Sequence, residues 1–213
     1  GCNLVIGRIK KMHSKDELLP NEGVFSAKDE IVLSELLLTN SAINSLCNKL
    51  YRREKIQRYI PEDIRIGEDL YFNITYISNI QNFACINKIV YIYFDEPLSV
   101  TKTFRDDYID DLIKVDQLRQ RIISDINCIQ ELKLIFLSDV HDLLCILYKN
   151  QKMSASEKKQ AANKILKNNY VRLQLKSINS SKITTKKYKI ISWCIKHNLN
   201  WIIRALYKIN GSR

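Results

Sequence analysis

The sequence predicts an α/β fold: a mixed sheet with helices to about residue 105, then an all-helical region over 106–213. Three observations predict it. Short apolar and β-branched runs alternate with helical periodicity as far as Arg105. From Asp106 onward strand signals vanish and apolar residues recur at helical spacing. The composition, 46% hydrophobic and 27% charged over 213 residues, is that of a globular chain rather than a disordered one.

The elements of the first region follow in order. Asn3–Gly7 is a short apolar strand. His13–Ser26 is polar, contains Pro20 and Gly23, and reads as a loop. Ala27–Leu38 is a helix, with Ser26 as N-cap and Asp29 and Glu30 in its first turn. Leu46–Tyr51 is strand-like and leads into a short basic helix near Glu54–Tyr59, which Pro61 ends. Asp63–Ile66 is a second β-like run. Gly67-Glu68-Asp69 then opens a helix to about Asn79. Phe83–Phe94 supplies two β-rich runs separated near Asn87-Lys88.

Helical spacing then covers Asp106–Asn127, Gln130–Asn150 and Ser156–Asn168, the last opened by Ser154 or Ser156. Ser177–Thr185 is a Ser/Thr/Lys linker. Lys186–Ile209 is one helix, or a pair broken at His197-Asn198. There are no internal repeats and no sustained heptads.

Charge is placed unevenly. Residues 151–213 hold 15 Lys and Arg against the single carboxylate Glu157, a net of +14, whereas residues 1–150 carry 19 Lys and Arg against 22 acids. The basicity therefore describes what the C-terminal region touches. The six cysteines form no CxxC pair and no metal-ligand spacing, so buried reduced thiols are expected. Five glycines are few for a complete nucleotide-binding α/β domain. With a first residue that is Gly1 rather than Met, the chain reads as part of a longer protein.

Glu68 and Asp69 carry the chemistry of interest. A helix N-terminus holds partial positive charge, which favours ionised carboxylates by about 0.3–1 kcal/mol. An ionised, positioned carboxylate is what a general base needs. Spacing alone makes the pair helix-capping acids, the residues expected in a first turn.

The segments LCNKLYRREKIQ, IRIGEDLYFNITYI and INKIVYIYF, the last followed by LSVT, resemble the second half of bacterial family 2 glycosyltransferases, enzymes of the GT-A fold that build surface polysaccharides. The family's "NKLYRRE" strand is Asn48–Glu54 here, its "GED" is Gly67–Asp69, its "YxY" strand is Tyr91-Ile92-Tyr93, and its Ser-x-Thr segment is Ser99-Val100-Thr101. The resemblance spans residues 1–105. It implies the acceptor-side half of a GT-A domain, with the helical region 106–213 as an extension. In such enzymes one carboxylate deprotonates an acceptor hydroxyl, which attacks the anomeric carbon of a nucleotide-sugar with inversion. By position Asp69 takes that role, with Glu68 binding or orienting the acceptor and Gly67 allowing close backbone approach. Lys49, Tyr51, Arg52 and Arg53 either line the acceptor cleft or meet a diphosphate, or form an exposed basic corner. Tyr91 and Tyr93 share one strand face, suited to core packing or to sugar stacking.

The departures are equally specific. The family's DxD, whose carboxylates hold Mg²⁺ or Mn²⁺ on the donor diphosphate, is absent, so donor and metal binding are expected outside these residues and the stretch alone is expected to be inactive. Asp106-Asp107 and Asp110-Asp111 read as a solvated helix face. His13, His141 and His197 are far apart and read as surface or boundary residues. Phe94 stands where family members often carry a basic residue.

The basic stretch 186–209 interleaves Trp193, Trp201 and Tyr207 with lysines. It suits an anionic membrane surface, or a docked helix with Trp and Ile faces buried and lysines outward. It is too short in apolar runs to span a bilayer, and no nucleic-acid motif accompanies it. The expected setting is cytoplasmic, peripheral at the inner face of the membrane, with a homodimer formed through an exposed sheet edge. The rival reading is a non-catalytic interaction module working through the basic helical tail.

Overall fold

A computed structural model of the chain describes residues 1–11, 17–18, 22–38, 41–94, 104–123 and 126–211. His13, Pro20 and Ser99-Val100-Thr101 lie outside the described residues. The fold is mixed α/β, and the chain divides into two compact units: residues 1–97 with 117–128, and residues 98–116 with 129–213.

The first unit is built on a five-stranded mixed sheet. Strand β1 (Leu4–Lys11) pairs in parallel with β5 (Asn82–Tyr93), which pairs antiparallel with β3 (Gly23–Ser26). The antiparallel partners β2 (Glu17–Leu18) and β4 (Lys49–Tyr51) bond to opposite ends of β1. Alternation decides which side faces inward. Leu4, Ile6, Phe83 and Cys85 are buried while Val5, Ala84 and Ile86 are partly exposed.

Helices α1 (Glu30–Leu38) and α2 (Glu68–Ser78) lie between the strands of this sheet in sequence. Helix α1 (Glu30–Leu38) is capped by Asp29, whose Oδ1 accepts from the backbone N–H of Ile31 at 3.0 Å and Val32 at 3.2 Å. Ser26, the expected cap, instead accepts from Lys28 N–H in the turn before it. Helix α2 (Glu68–Ser78) buries Leu70, Asn73, Ile74 and Ile77, the i, i+3, i+4, i+7 stripe of an amphipathic helix.

Several expectations are corrected here. Asp63–Ile66 is not a strand: it is irregular, and Ile64 and Ile66 are buried. The basic helix at 54–59 reduces to a single 3-10 turn over Arg53–Lys55. Strand β4 begins only at Lys49. The His13–Ser26 loop contributes β2 and β3. β5 is one strand of 12 residues rather than two runs. Its apparent break near Asn87-Lys88 is a bulge: from Ile6↔Cys85 to Arg8↔Ile89, β1 advances two residues while β5 advances four. Gly7 sits opposite this irregularity. A Cβ there would lie 2.4 Å from a Val90 methyl, so a larger residue would have to push Val90 aside.

The second unit is all-helical among its described residues. It holds α3 (Tyr108–Ile122) as far as Asp116, α4 (Ile126–Lys149) from Ile129, α5 (Ala155–Lys167), α6 (Asn169–Lys176), α7 (Lys186–Lys196) and α8 (Asn200–Gly211). Ser154 opens α5 with a capping box: Glu157 N–H donates to Ser154 Oγ, and Ser154 N–H donates to Glu157 Oε2 at 2.7 Å. Asn168 separates α5 from α6 and caps the latter through the N–H groups of Tyr170 and Val171. The break between α7 and α8 falls at His197–Leu199, with Asn198 in the left-handed region at φ 60°.

The core of this unit comes from Phe136, Leu137, Val140, Leu144, Leu166, Leu175 and Ile203, all essentially inaccessible. No described helix is long and apolar enough to cross a membrane. In α7 and α8 Ile191, Ile195 and Ile203 are buried, but Ile190, Trp193 and Trp201 stay 47%, 52% and 62% exposed, so the docked-helix alternative with both tryptophans buried is not observed.

Candidate functional site

The acidic pair sits where the sequence places it, at the mouth of a helix. Gly67 occupies the N-cap of α2 at φ 76°, ψ 15°, a left-handed conformation that favours glycine. Its carbonyl accepts from Tyr71 N–H at 2.8 Å. Glu68 and Asp69 are the first two helical residues, both half-buried. Asp69 Oδ2 accepts from the N–H of Leu46, 23 residues upstream, at 3.3 Å. That bond ties the GED turn to the segment entering β4, so the two regions singled out by sequence converge at one end of the sheet.

Lys49 is the partner on the β4 side. It is 9% exposed, and its ammonium donates to Asn48 Oδ1 at 2.8 Å and to the Ser45 carbonyl. Burial pushes its pKa down to about 7, against the opposing pull of the Asp69 charge. Asn48 is itself buried and grips β1 from both sides of its peptide. Its Nδ2 donates to Gly7 O at 2.7 Å, and Gly7 N–H donates to Asn48 O at 2.8 Å.

Three further residues complete the scaffold. Tyr51 OH donates to Asn73 Oδ1 at 2.5 Å, and Asn73 Nδ2 donates to the carbonyls of Ile43 at 2.6 Å and Ser45 at 3.2 Å. Burial raises the Tyr51 phenol well above its usual range, and the nearby Asp69 charge adds to it. Tyr76 OH accepts from Arg52 N–H at 3.0 Å and lies 2.8 Å from Asn3 O. Tyr51 meets Phe72 and Tyr76 edge-on, with centroids 5.3 and 5.0 Å away.

The other sequence candidates fall differently. Tyr91 and Tyr93 lie on the exposed half of β5, at 37% and 44%, so the expected core-packing role is not what they do. The nearby Cys47 thiol raises the Tyr91 phenol. Arg52 is exposed, and its guanidinium lies against Gly1. The structure thus gathers Asp69, Lys49, Tyr51 and Asn73.

Asn73 and Tyr76 were missed by sequence reasoning. The signal was present: an asparagine on the apolar stripe of α2 is a buried polar group that must be bonded.

Elsewhere, Asp111 is buried and Arg105 lies 3.6 Å from it and 2.9 Å from Asp107, so the DDxxDD segment is only partly a solvated face. His141 is likewise buried, not a surface residue. The cysteines are free thiols; Cys85 and Cys194 are buried, whereas Cys47 is exposed. Among the described residues no group of three or more His, Cys, Asp or Glu side chains is placed to hold a metal ion, so no step below passes through one.

The arrangement can hold an ionised carboxylate at a helix N-terminus, partly desolvated, fixed by one backbone N–H and backed by a buried amine. No known family model matches the chain, and no curated protein matches it significantly.

Proposed function

We propose that the sheet unit is the acceptor side of a GT-A-type glycosyltransferase, acting in bacterial surface-glycan synthesis, with Asp69 as the general base of an inverting transfer. The observation that carries this reading is the convergence of Asp69 with Lys49 and Tyr51, which joins the GED turn and the NKLY strand in one cluster. The carboxylate takes the proton of an acceptor hydroxyl, the oxygen forms a bond to the anomeric carbon, and the nucleoside diphosphate leaves with the bonding electrons of the broken C–O bond. Glu68 orients the acceptor. Lys49, held by Ser45 and Asn48, keeps the segment carrying Leu46 against Asp69. The exposed Tyr91 and Tyr93 rings offer flat apolar faces to a sugar. Donor and metal binding belong to sequence outside these residues.

The test is acceptor-dependent release of nucleoside diphosphate by the full-length protein, measured across a panel of nucleotide-sugars with bacterial glycan acceptors. Turnover with one donor is expected. No release with any donor, from folded full-length protein, would remove the enzyme reading.

A further inference from the structure

The helical unit contains a cavity of about 490 Å³ walled by α4, α5 and α8. That volume is in the range of small-molecule sites. Four of its lining residues are cations: Lys158 and Lys159 from α5, Arg204 and Lys208 from α8. None of its lining residues is a carboxylate. The single acid in residues 151–213, Glu157, is turned away into the capping box with Ser154. Tyr148, at the end of α4, supplies an aromatic wall and stacks on Tyr207 with centroids 5.9 Å apart.

The basic groups are positioned rather than scattered. Lys158 Nζ donates to the Tyr148 carbonyl at 2.9 Å, which pins α5 to the last turn of α4. Arg204 donates to Asn163 Oδ1, which fixes its guanidinium between α8 and α5. Its charge also opposes the burial that raises the Tyr148 phenol. Lys158 and Lys159 are the fourth and fifth residues of α5 and reach the cavity from that helix. Four cations lining one cavity set up a positive potential that attracts an anion.

We propose that this cavity is a binding site for a phosphate or diphosphate group carried on an organic body, with Lys159, Arg204 and Lys208 contacting the phosphate oxygens and Tyr148 supporting the body. Lysine suits phosphate as a point charge and arginine as a two-pronged donor. Two alanines in the lining leave the room that the rest of the ligand needs. The site lies wholly within the helical unit and does not depend on the glycosyltransferase reading.

The test is isothermal titration of the 213-residue chain with inorganic pyrophosphate. A second arm uses dihexanoyl phosphatidic acid below its micelle concentration, which presents the same group as a lipid headgroup without a membrane surface. Binding of either ligand is expected, and which one binds identifies a soluble phosphate ester or a lipid as the source. The double variant Lys159→Gln/Lys208→Gln should weaken binding by about tenfold or more. Both side chains are exposed, and thermal unfolding recorded alongside shows that the variant is folded at the titration temperature. The control Lys167→Gln/Lys176→Gln removes the same charge from α5 and α6 outside the cavity and should bind as wild type. Equal weakening in both double variants would reduce the effect to net charge and overturn the site. So would binding of neither ligand by the wild-type chain.

Discussion

At Lys49 burial outweighs the pull of the Asp69 charge. Lys49 is held near pH 7 by desolvation, so its charge is partial at neutral pH, while Asp69 sits half-buried at the positive end of α2. The hydrogen bonds around them leave little freedom, because Tyr51, Asn73 and Asn48 are joined in turn to backbone carbonyls. Tyr51→Phe removes the donor to Asn73 Oδ1 and leaves that oxygen buried. Chemical denaturation should show a loss of roughly 1–3 kcal/mol, and an unchanged midpoint would mean the bond contributes nothing. Asp69 was legible from the sequence because helix N-termini favour acids. Asn73 was legible only in hindsight, since a polar residue on an apolar stripe shows that a partner exists but not which carbonyls supply it.

At the scale of elements, α2 is where local and long-range forces agree. Its apolar stripe, its first-turn acids and its left-handed glycine all specify the same helix start. Gly67→Ala places a Cβ in the left-handed region at a cost of about 1–2 kcal/mol. The unfolding free energy from urea titration should fall by that amount with an unchanged slope, and a neutral result would show that the turn relaxes without strain. The periodic helices were readable for the same reason, including the break at His197-Asn198. Short strands were not. Asp63–Ile66 alternates like a strand, yet Ile64 and Ile66 are buried within an irregular segment. In β5, Asn87-Lys88 looks like a turn but forms a bulge opposite Gly7. Pairing partners decide both cases, and local pattern carries no record of them. The cap of α1 moved from Ser26 to Asp29 because the chain makes one more turn before the helix begins.

For the whole molecule, the sheet-then-helices order was visible in where the strand signals stop. What stayed hidden was the interior of the helical unit. His141 lies on the buried face of α4, its Nε2 accepting from Lys187 Nζ at 2.6 Å and its Nδ1 bonded to Tyr207 OH, with Cys145 and Tyr188 around it. Burial, then the Lys187 charge, lowers its pKa from 6.5 to about 4. Between those values the unfolded chain binds a proton that the folded one refuses, so this group makes stability fall as pH drops from 6.5 to about 4. Asp142, raised by burial, acts in the opposite sense, so the comparison of wild type with His141→Gln isolates the histidine. Denaturation across that window should show a steeper acid loss in wild type. Parallel profiles would mean the histidine takes its proton without cost.

The central claim is that Asp69 is the base of a glycosyl transfer, and one measurement bears on it most directly. In the full-length protein, Asp69→Asn preserves size and the acceptor for Leu46 N–H while removing basicity. The account predicts a kcat lower by about 10²–10⁴-fold with donor affinity unchanged. Turnover retained within a few-fold of wild type would contradict it.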